Sequence, residues 1–573
     1  MVYHEQMRSS ARMGRPEKLG DFCYPTYPYK QPEEIALGKT RHYPVVVVGG
    51  GMVGLTIAID IACKGVSCIL IDDNDTVSAG SRSIAQARRT MDIWSRLGCA
   101  DPMVAKGVSW NKGHTHYRND CVLSFEVFPE GGTRFPSFTS LAQYYVEHYL
   151  VERAQQIEAL DLRWRNRLIA LKAGDQNVGL TIETPDGIYR ITSDWVVAAD
   201  GARSAVRESL GLELKGSRIK DKFVIADVRV KADLPNERNY WFEPPFYDGN
   251  SVLRVPQSDS IWRIDWQIDP EVDVERELDP RTVDSRLRRM FGQETQFEAE
   301  WVSTYKSEHR LMDNFRHGRV LFVGDAAHQF SPFGGGRGGN SGVQDADNLA
   351  WKLCAVIQGK ASQSLLDSYD AERRPIAIRN LTDSSKSTEF ITPKSAHSQG
   401  LHAAVLRLAK TAPFARAYVN TGRFAVWPIL EQSPLSIMDQ DAFATTGRPG
   451  TPVLDCYLTS DTGASQWLSE LVGNAFTLVI YGDSIASEAA RSKAEEISNR
   501  LFRLNVVLIN QTSSPQAFAD TQGAFTHQYD AKIGTTYLFR PDQHVLARWR
   551  KCDMQTVELA IKAALRLTAR VTA

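Results

Sequence analysis

Val45-Val46-Val47-Val48-Gly49-Gly50-Gly51-Met52-Val53-Gly54 decides how the rest of this chain is read. Four consecutive β-branched apolar residues suit a parallel strand buried on both faces. The glycines that follow have the spacing Gly49-x-Gly51-x-x-Gly54. In that spacing Gly49 permits the tight turn out of the strand, Gly51 lets the backbone approach a pyrophosphate, and Gly54 lets helix and strand pack closely. Leu55 to Lys64 reads as the helix, Gly65 as its stop, and Ser67 to Ile71 as a second buried strand. The Met52 and Val53 amides at the helix start then face an anion. Asp72 ends the second strand, where an acid accepts hydrogen bonds from a ribose diol, and Asp73 is placed to share that contact.

Two further stretches build outward from this unit. Trp195-Val-Val-Ala-Ala-Asp200-Gly201-Ala-Arg203-Ser204 reads by itself as a buried strand, a turn and a Ser-capped helix start. Val320-Leu-Phe-Val-Gly324-Asp325 delivers Asp325 to a sheet end, where ligands of α/β folds collect. After Pro332, five glycines in the six positions 334–339 expose backbone N–H groups ahead of a helix expected from Gly342 to Gln358. Such a nest suits an anion or an electron-rich ring edge.

In this order the three stretches resemble the class A FAD-dependent aromatic hydroxylases, the flavoprotein monooxygenase family of the p-hydroxybenzoate and phenol hydroxylases. The resemblance covers roughly residues 44–385. It implies that Gly49, Gly51, Gly54 and Asp72 hold the ADP half of FAD. Ser81 and Arg82, in Gly80-Ser81-Arg82, match the segment that contacts the cofactor after the second strand, and Gln143 matches a helix-borne cofactor contact. Asp325 matches the acid on the ribityl hydroxyls. Asp200 and Gly201 match a motif linked to both FAD and the pyridine nucleotide. Pro332 and the Gly338-Gly339-Asn340 backbone match the loop under the isoalloxazine, although this loop is one residue longer and Gly339 smaller than in the relatives.

The implied reaction inserts one oxygen atom of O2 into a phenolic or related aromatic ring, with NADH or NADPH as transient reductant, through a C4a-hydroperoxyflavin. Only one dinucleotide fingerprint exists in the chain, so the nicotinamide is expected to lack a domain of its own. Strands expected at Phe223–Val230, Ser251–Val255 and Ile261–Ile268 would form the substrate sheet, with Tyr240, Arg254 and Trp262 as substrate contacts and Trp241, Arg263 and Trp266 as further candidates. No catalytic base is named, and His328 is read as a supporting hydrogen-bonding group. A hydroxylase of larger polycyclic, polyketide-like substrates and a non-catalytic flavin-binding sensor are the alternatives.

The expected fold class is α/β: a Rossmann-like FAD-binding domain, an inserted substrate-binding β-sheet domain and a C-terminal thioredoxin-like domain. The divisions are an arm at 1–43, FAD-binding segments at 44–215 and 306–395, the substrate sheet at 216–305, a helical connection at 396–444 and the tail at 445–573. The tail resembles the thioredoxin-like domain of the phenol-hydroxylase branch but has no Cys-x-x-Cys, so packing or dimer contact is expected of it. Lys+Arg (67) nearly cancel Asp+Glu (68), giving a net charge of -1 and no electrostatic footprint for nucleic acid or an anionic membrane. No apolar run approaches the roughly 18–20 residues of a membrane span. The eight cysteines make no disulfide scaffold and no zinc spacing, and Cys63 and Cys68 are read as buried core residues. The dispersed histidines suggest no metal site. A cytoplasmic homodimer acting on a small aromatic substrate is the expectation.

Overall fold

Parallel pairing on both sides buries Val45–Val48, the end of strand Arg41–Val48. The computed structural model describes residues 17–80, 82–126, 132–248, 251–331, 336–420, 428–482, 485–512 and 517–567. Ser81 and Pro332 lie outside the described residues. In the first sheet the order is Leu160–Arg163, Cys68–Ile71, Arg41–Val48, Gly187–Ala198, Val178–Thr184, Arg167–Ala173. Strand Gly187–Ala198 is long enough to serve two neighbourhoods. Its first half pairs antiparallel with Val178–Thr184, and its last residues pair parallel with both Arg41–Val48 and Val320–Phe322. Helix Met52–Cys63 packs on this sheet, and helix Arg337–Ile357 packs on that helix.

A second sheet runs His328–Gln329, Phe297–Leu311, Lys215–Val230, Ile261–Ile268, Ser251–Pro256, Arg238–Phe242, Lys112–Tyr117, Asp120–Glu126. Its last two strands come from the segment expected to belong to the FAD-binding domain. Lys112–Tyr117 pairs parallel with Arg238–Phe242 and thereby extends the sheet beyond the 216–305 expectation. The N-terminal arm packs on its own chain: Tyr27 stacks on Trp164 at 4.6 Å, and Phe22 packs 4.8 Å from Tyr144.

Three local expectations change. The helix expected from Gly342 begins at Arg337, so Gly338, Gly339 and Asn340 form its first turn rather than a loop. Among the described residues, the helical stretch expected over 400–432 contains two helices, Ala396–Ala409 and Pro413–Asn420, because proline favours a helix start and cannot continue a preceding one; residues 421–427 lie outside the described residues. Cys68 is buried, but Cys63 is exposed at the end of its helix, and neither is in a disulfide.

In the C-terminal stretch, Phe476–Tyr481, helix Ile485–Arg500 and Leu504–Asn510 form a parallel β-α-β unit, and hairpin Thr536–Phe539/Val545–Trp549 pairs onto it. The tip of that hairpin reaches the Arg337–Ile357 helix through buried charges. Arg540 donates to both oxygens of Glu372 at 2.6 and 2.9 Å and pairs with Asp542, while Lys352 meets Glu372 at 2.7 Å. Trp351 Nε1 donates to Asp542 at 3.1 Å, and Arg89 spans Asp347 and the Asp542 carbonyl, each at 2.8 Å. Burial alone would raise the Glu372 carboxyl, but Arg540 and Lys352 hold it far below the usual carboxylate range.

Removing one partner from such a cluster leaves the others charged and dry. Arg540→Ala is therefore expected to lower unfolding free energy by about 3–5 kcal/mol. Arg500→Ala, which breaks a pair whose arginine is 56% exposed, should cost only about 0–1 kcal/mol. Denaturant unfolding of both variants beside the parent checks the contrast.

Candidate functional site

The register of the first sheet brings its acids to one edge. Val48 pairs with Ile71 and with Ala198, and Ala198 pairs with Phe322. Gly49, Asp72, Asp200 and Asp325 follow these residues closely in sequence, so all four leave the sheet on the same side. They open onto a cavity of about 1070 Å³, which Gly51, Met52, Val53, Asp73, Arg82, Gln143, Gly201, Gly338 and Gly339 also line.

The glycine fingerprint is enforced by space. A Cβ at Gly49, where φ is +106°, would lie 2.5 Å from the Ala199 carbonyl oxygen, and one at Gly54 would lie 1.9 Å from the Gly49 carbonyl oxygen. Gly54 thus serves packing and does not line the cavity. A Cβ at Gly51 would meet only Glu147 Oε1, at 3.6 Å, so this glycine keeps the helix start open to the cavity. Gly51 is the N-cap of Met52–Cys63 and offers no side-chain cap.

Glu147 is a residue that the sequence reading missed. It is fully buried and accepts from Met52 N at 3.2 Å, Ser78 N at 2.7 Å, Ser78 Oγ at 3.0 Å and Gln143 Nε2 at 2.7 Å. Burial raises its carboxyl, and these donors oppose the rise. The available signal was the i,i+4 spacing of Gln143 and Glu147 on helix Gln143–Gln155.

The strand-end acids differ in how far they are already satisfied. Asp72 accepts from Gly50 N and from the backbone and side chain of Asn74 at 2.8 and 3.0 Å. Asp73 accepts from Asn74 Nδ2 at 2.9 Å. Asp200 accepts from Val206 N at 3.0 Å through one oxygen, and its other oxygen is buried without a partner. Asp325 reaches the cavity and takes no hydrogen bond from the described residues. Burial raises its carboxyl, against the pull of His328 and Arg82.

Behind this wall His328 is fully buried, with Nε2 2.6 Å from Asp345, whose other oxygen accepts from Arg373 at 2.7 Å. Its ring stacks at 4.7 Å on Phe330, a cavity residue. Asn340 also lies behind the wall. It accepts from Ala87 N at 2.8 Å and Thr90 Oγ1 at 2.6 Å, and donates to the Ala85 carbonyl at 2.8 Å. The helix start is thereby stapled to the Ala85–Ala87 strand. The small residue at 339 also has a local reason: a Cβ there would lie 3.0 Å from Met52 Sδ and 3.2 Å from Ser83 Oγ.

The opposite wall comes from the second sheet and its neighbours: Trp110, Phe138, Arg238, Leu253, Val255, Arg263, Asp265 and Tyr305. Trp110 and Phe138 stack with centroids 5.7 Å apart. Of the sheet candidates, Arg263 lines the cavity. Tyr240, Arg254 and Trp262 do not. Tyr240 is buried, with its hydroxyl on Ser251 at 2.9 Å. Leu253 and Val255 take the cavity face of their strand, so alternation turns Arg254 away, over the rings of Trp241 and Trp262 at 5.4 and 5.0 Å. Arg263 and Asp265 likewise turn Trp262 and Trp266 into a core that includes Val283 and Leu287 of helix Pro280–Phe291.

These walls fit a dinucleotide. The start of helix Met52–Cys63, with only its Met52 amide engaged by Glu147, stands beside a glycine kept free of side chain; Asp200 leaves a buried oxygen without a partner, and no described residue bonds Asp325. A family model described as FAD binding domain matches residues 42–384. The 6-methylpretetramide 4-monooxygenase of Streptomyces rimosus is 28% identical over 532 residues, 91% of this chain and 93% of that protein. The pentachlorophenol 4-monooxygenase of Sphingobium chlorophenolicum is 29% identical over 388 residues, 66% of this chain and 68% of that protein. In fold, the chain is similar to the flavin-dependent monooxygenase PieE, solved with FAD and substrate, at a TM-score of 0.79 and 22% identity over 92% of this chain and 99% of that one. With its strand-end cradle, its aromatic wall and these relatives, the chain belongs to the FAD binding domain family and is an FAD-dependent aromatic monooxygenase.

Proposed function

We propose that the strand-end wall holds FAD and that the facing sheet presents a phenolic or related aromatic ring to it. One observation carries this reading: the two walls bound a single space of about 1070 Å³, with glycines and carboxylates on one side and Trp110, Phe138, Leu253, Val255 and Tyr305 on the other. When bound, FAD supplies hydride acceptance from NADH or NADPH and the activation of O2 for insertion into the ring.

The protein's part is placement and exclusion. The start of helix Met52–Cys63 receives the pyrophosphate with the first-turn N–H groups that Glu147 does not engage and with the positive end of the helix dipole; the Met52 amide, expected to face the anion, is instead held by Glu147. Asp72, with Asp73 beside it, accepts from the ribose hydroxyls, and Asp325 from the ribityl hydroxyls. Arg82, Gln143, Asp200 and Gly201 border the cofactor, and the first turn carrying Gly338 and Gly339 approaches its ring without side chains. The aromatic wall keeps water from the reacting centre.

We further propose a homodimer in the cytoplasm. Exposed Leu401, Leu408, Phe414 and Tyr418 on the two helices after residue 395 offer an apolar face to a second copy. All eight cysteines are free, which suits a reducing compartment.

Purified protein is expected to be yellow, to release FAD on denaturation, and to oxidise NADH or NADPH faster when a phenol is present, with a product that gains one oxygen atom. A panel of phenols, with peroxide and product mass followed together, tests this. Stimulated oxidation that yields only peroxide with every phenol would sink the hydroxylase reading for this substrate class. Asp325→Ala should lose roughly 1.5–3 kcal/mol of cofactor binding, the range of a hydrogen bond to a charged group. That is about a ten- to hundredfold rise in the FAD dissociation constant, with the unfolding midpoint of the apoprotein little changed. FAD titration of the apo variant measures it, and an unchanged constant would remove Asp325 from the cofactor contacts.

A further inference from the structure

Most carboxylates on the cavity wall stand at strand ends of the first sheet. Asp265 stands alone on the facing sheet, among the described lining residues. It is 6% exposed and shares its strand face with Arg263. Arg263 Nε donates to Asp265 Oδ1 at 2.7 Å, and Arg263 Nη1 reaches the Arg82 carbonyl at 3.4 Å. The guanidinium thus ties the floor of the cavity to the segment expected at the cofactor. The second oxygen of Asp265, Oδ2, takes no hydrogen bond from the described residues.

Leu253 lies directly across the strand pair from Asp265, Val255 lies across from Arg263, and both line the cavity. Trp110, Phe138 and Val255 form one apolar cluster at this end. The charged and titratable groups that face Asp265 are Arg263 on its own strand, Arg238 on Arg238–Phe242, Tyr305 on Phe297–Leu311, and Asp227, which is in register with Arg263. Burial raises the Asp265 carboxyl, with Arg263 and then Arg238 opposing the rise.

We propose that Asp265 Oδ2 is the acceptor for the hydroxyl group of the aromatic substrate, fixed in place by Arg263. The inference rests on the reading that this cavity takes a phenolic ring, and it adds which group on the ring is recognised and by what. A carboxylate with one oxygen locked and the other open in an aromatic wall selects an O–H donor over an ether of the same shape. As oxygen insertion draws electron density from the ring, the substrate O–H bond breaks and the proton passes to Oδ2. The electron pair stays on the ring oxygen, beside the Arg238 guanidinium. No oxidant enters this step. It makes Asp265 a catalytic residue as well as a specificity determinant.

The test uses FAD-loaded protein and two probes of nearly equal size, 2-naphthol and 2-methoxynaphthalene, titrated by their perturbation of the flavin absorption. The parent protein should prefer the naphthol by about tenfold or more, the range a charge-assisted hydrogen bond supplies. Asp265→Asn should lose most of that preference through weaker naphthol binding, with the ether's affinity unchanged. It should also lose the limb of the hydroxylation pH profile on which rate rises with deprotonation of this carboxyl. If Asp265→Asn fails to hold FAD, Asp265→Glu is read instead, because it keeps a charge beside Arg263 while moving the oxygen by one methylene. That variant should show a reduced preference. Equal binding of both probes by the parent, or an unchanged preference in the decisive variant, would overturn the role of Asp265 alone. Binding of neither probe, with no phenol stimulating NAD(P)H oxidation, would instead overturn the proposed function.

Discussion

A helix that starts at an open glycine is the constraint on which the cofactor end of this protein depends. The first turn of any α-helix leaves N–H groups without intrahelical partners. Met52–Cys63 begins at Gly51, which offers no side-chain cap, and its first turn contains no acid. Glu147 accepts from the Met52 amide while also holding Ser78 and Gln143. Helix start, following loop and helix Gln143–Gln155 are therefore fixed relative to one another before any ligand arrives. The packing glycines follow from the same demand. The helix can stand this close to the strand only if Gly54 has no Cβ to strike the Gly49 carbonyl.

The second half of the cofactor wall is held from further away. Helix Arg88–Arg96 is tied at Thr90 and its preceding strand to Asn340, and at Arg89 to Asp347 and the Asp542 carbonyl. The same long helix, Arg337–Ile357, carries Asn340, Asp345, Asp347 and Lys352. Its first turn borders the cavity, and its middle meets the C-terminal hairpin. Charges without water constrain geometry strongly, because each displaced partner leaves another buried charge unpaired. The C-terminal stretch carries no flavin motif, yet its hairpin tip sits on the helix whose start borders the cavity.

The strand-end half of the site was legible in the sequence because it obeys rules of spacing. A fully apolar strand, a glycine turn and an acid at the next strand's end leave few alternatives, and the three motifs share one sheet edge. The facing wall was not legible, and strand Ile261–Ile268 shows why. All eight of its residues are buried, so no alternation of polar and apolar residues marks the cavity side. Trp262, Arg263 and Trp266 all have the look of ligand contacts, while Asp265 carries no signal that marks it as one. The structure keeps Arg263 on the cavity, adds Asp265 beside it, and turns both tryptophans into a core with helix Pro280–Phe291. The strands Lys112–Tyr117 and Asp120–Glu126 were hidden for a different reason. They join the sheet through a parallel pairing with a strand more than a hundred residues later, which no local pattern announces.

The cavity acids illustrate how one side-chain type takes different roles from its surroundings. Asp72 has both oxygens engaged by Gly50 and Asn74, which pins its orientation at the turn and leaves Oδ2 room for one more donor. Asp200 has one oxygen committed to a helix start, and Asp325 has neither committed among the described residues. The supply of free acceptor oxygens among the described contacts thus increases from Asp72 at the glycine turn to Asp325. Asp265 departs from this series because a cation is bonded to it directly. Burial raises this carboxyl, and Arg263, bonded to one of its oxygens, opposes the rise. A buried acceptor of that kind, set in an aromatic wall, gains a partner from a ligand that brings its own hydrogen-bond donor, and so the chemistry of the floor restricts what the apolar walls would otherwise admit by shape alone.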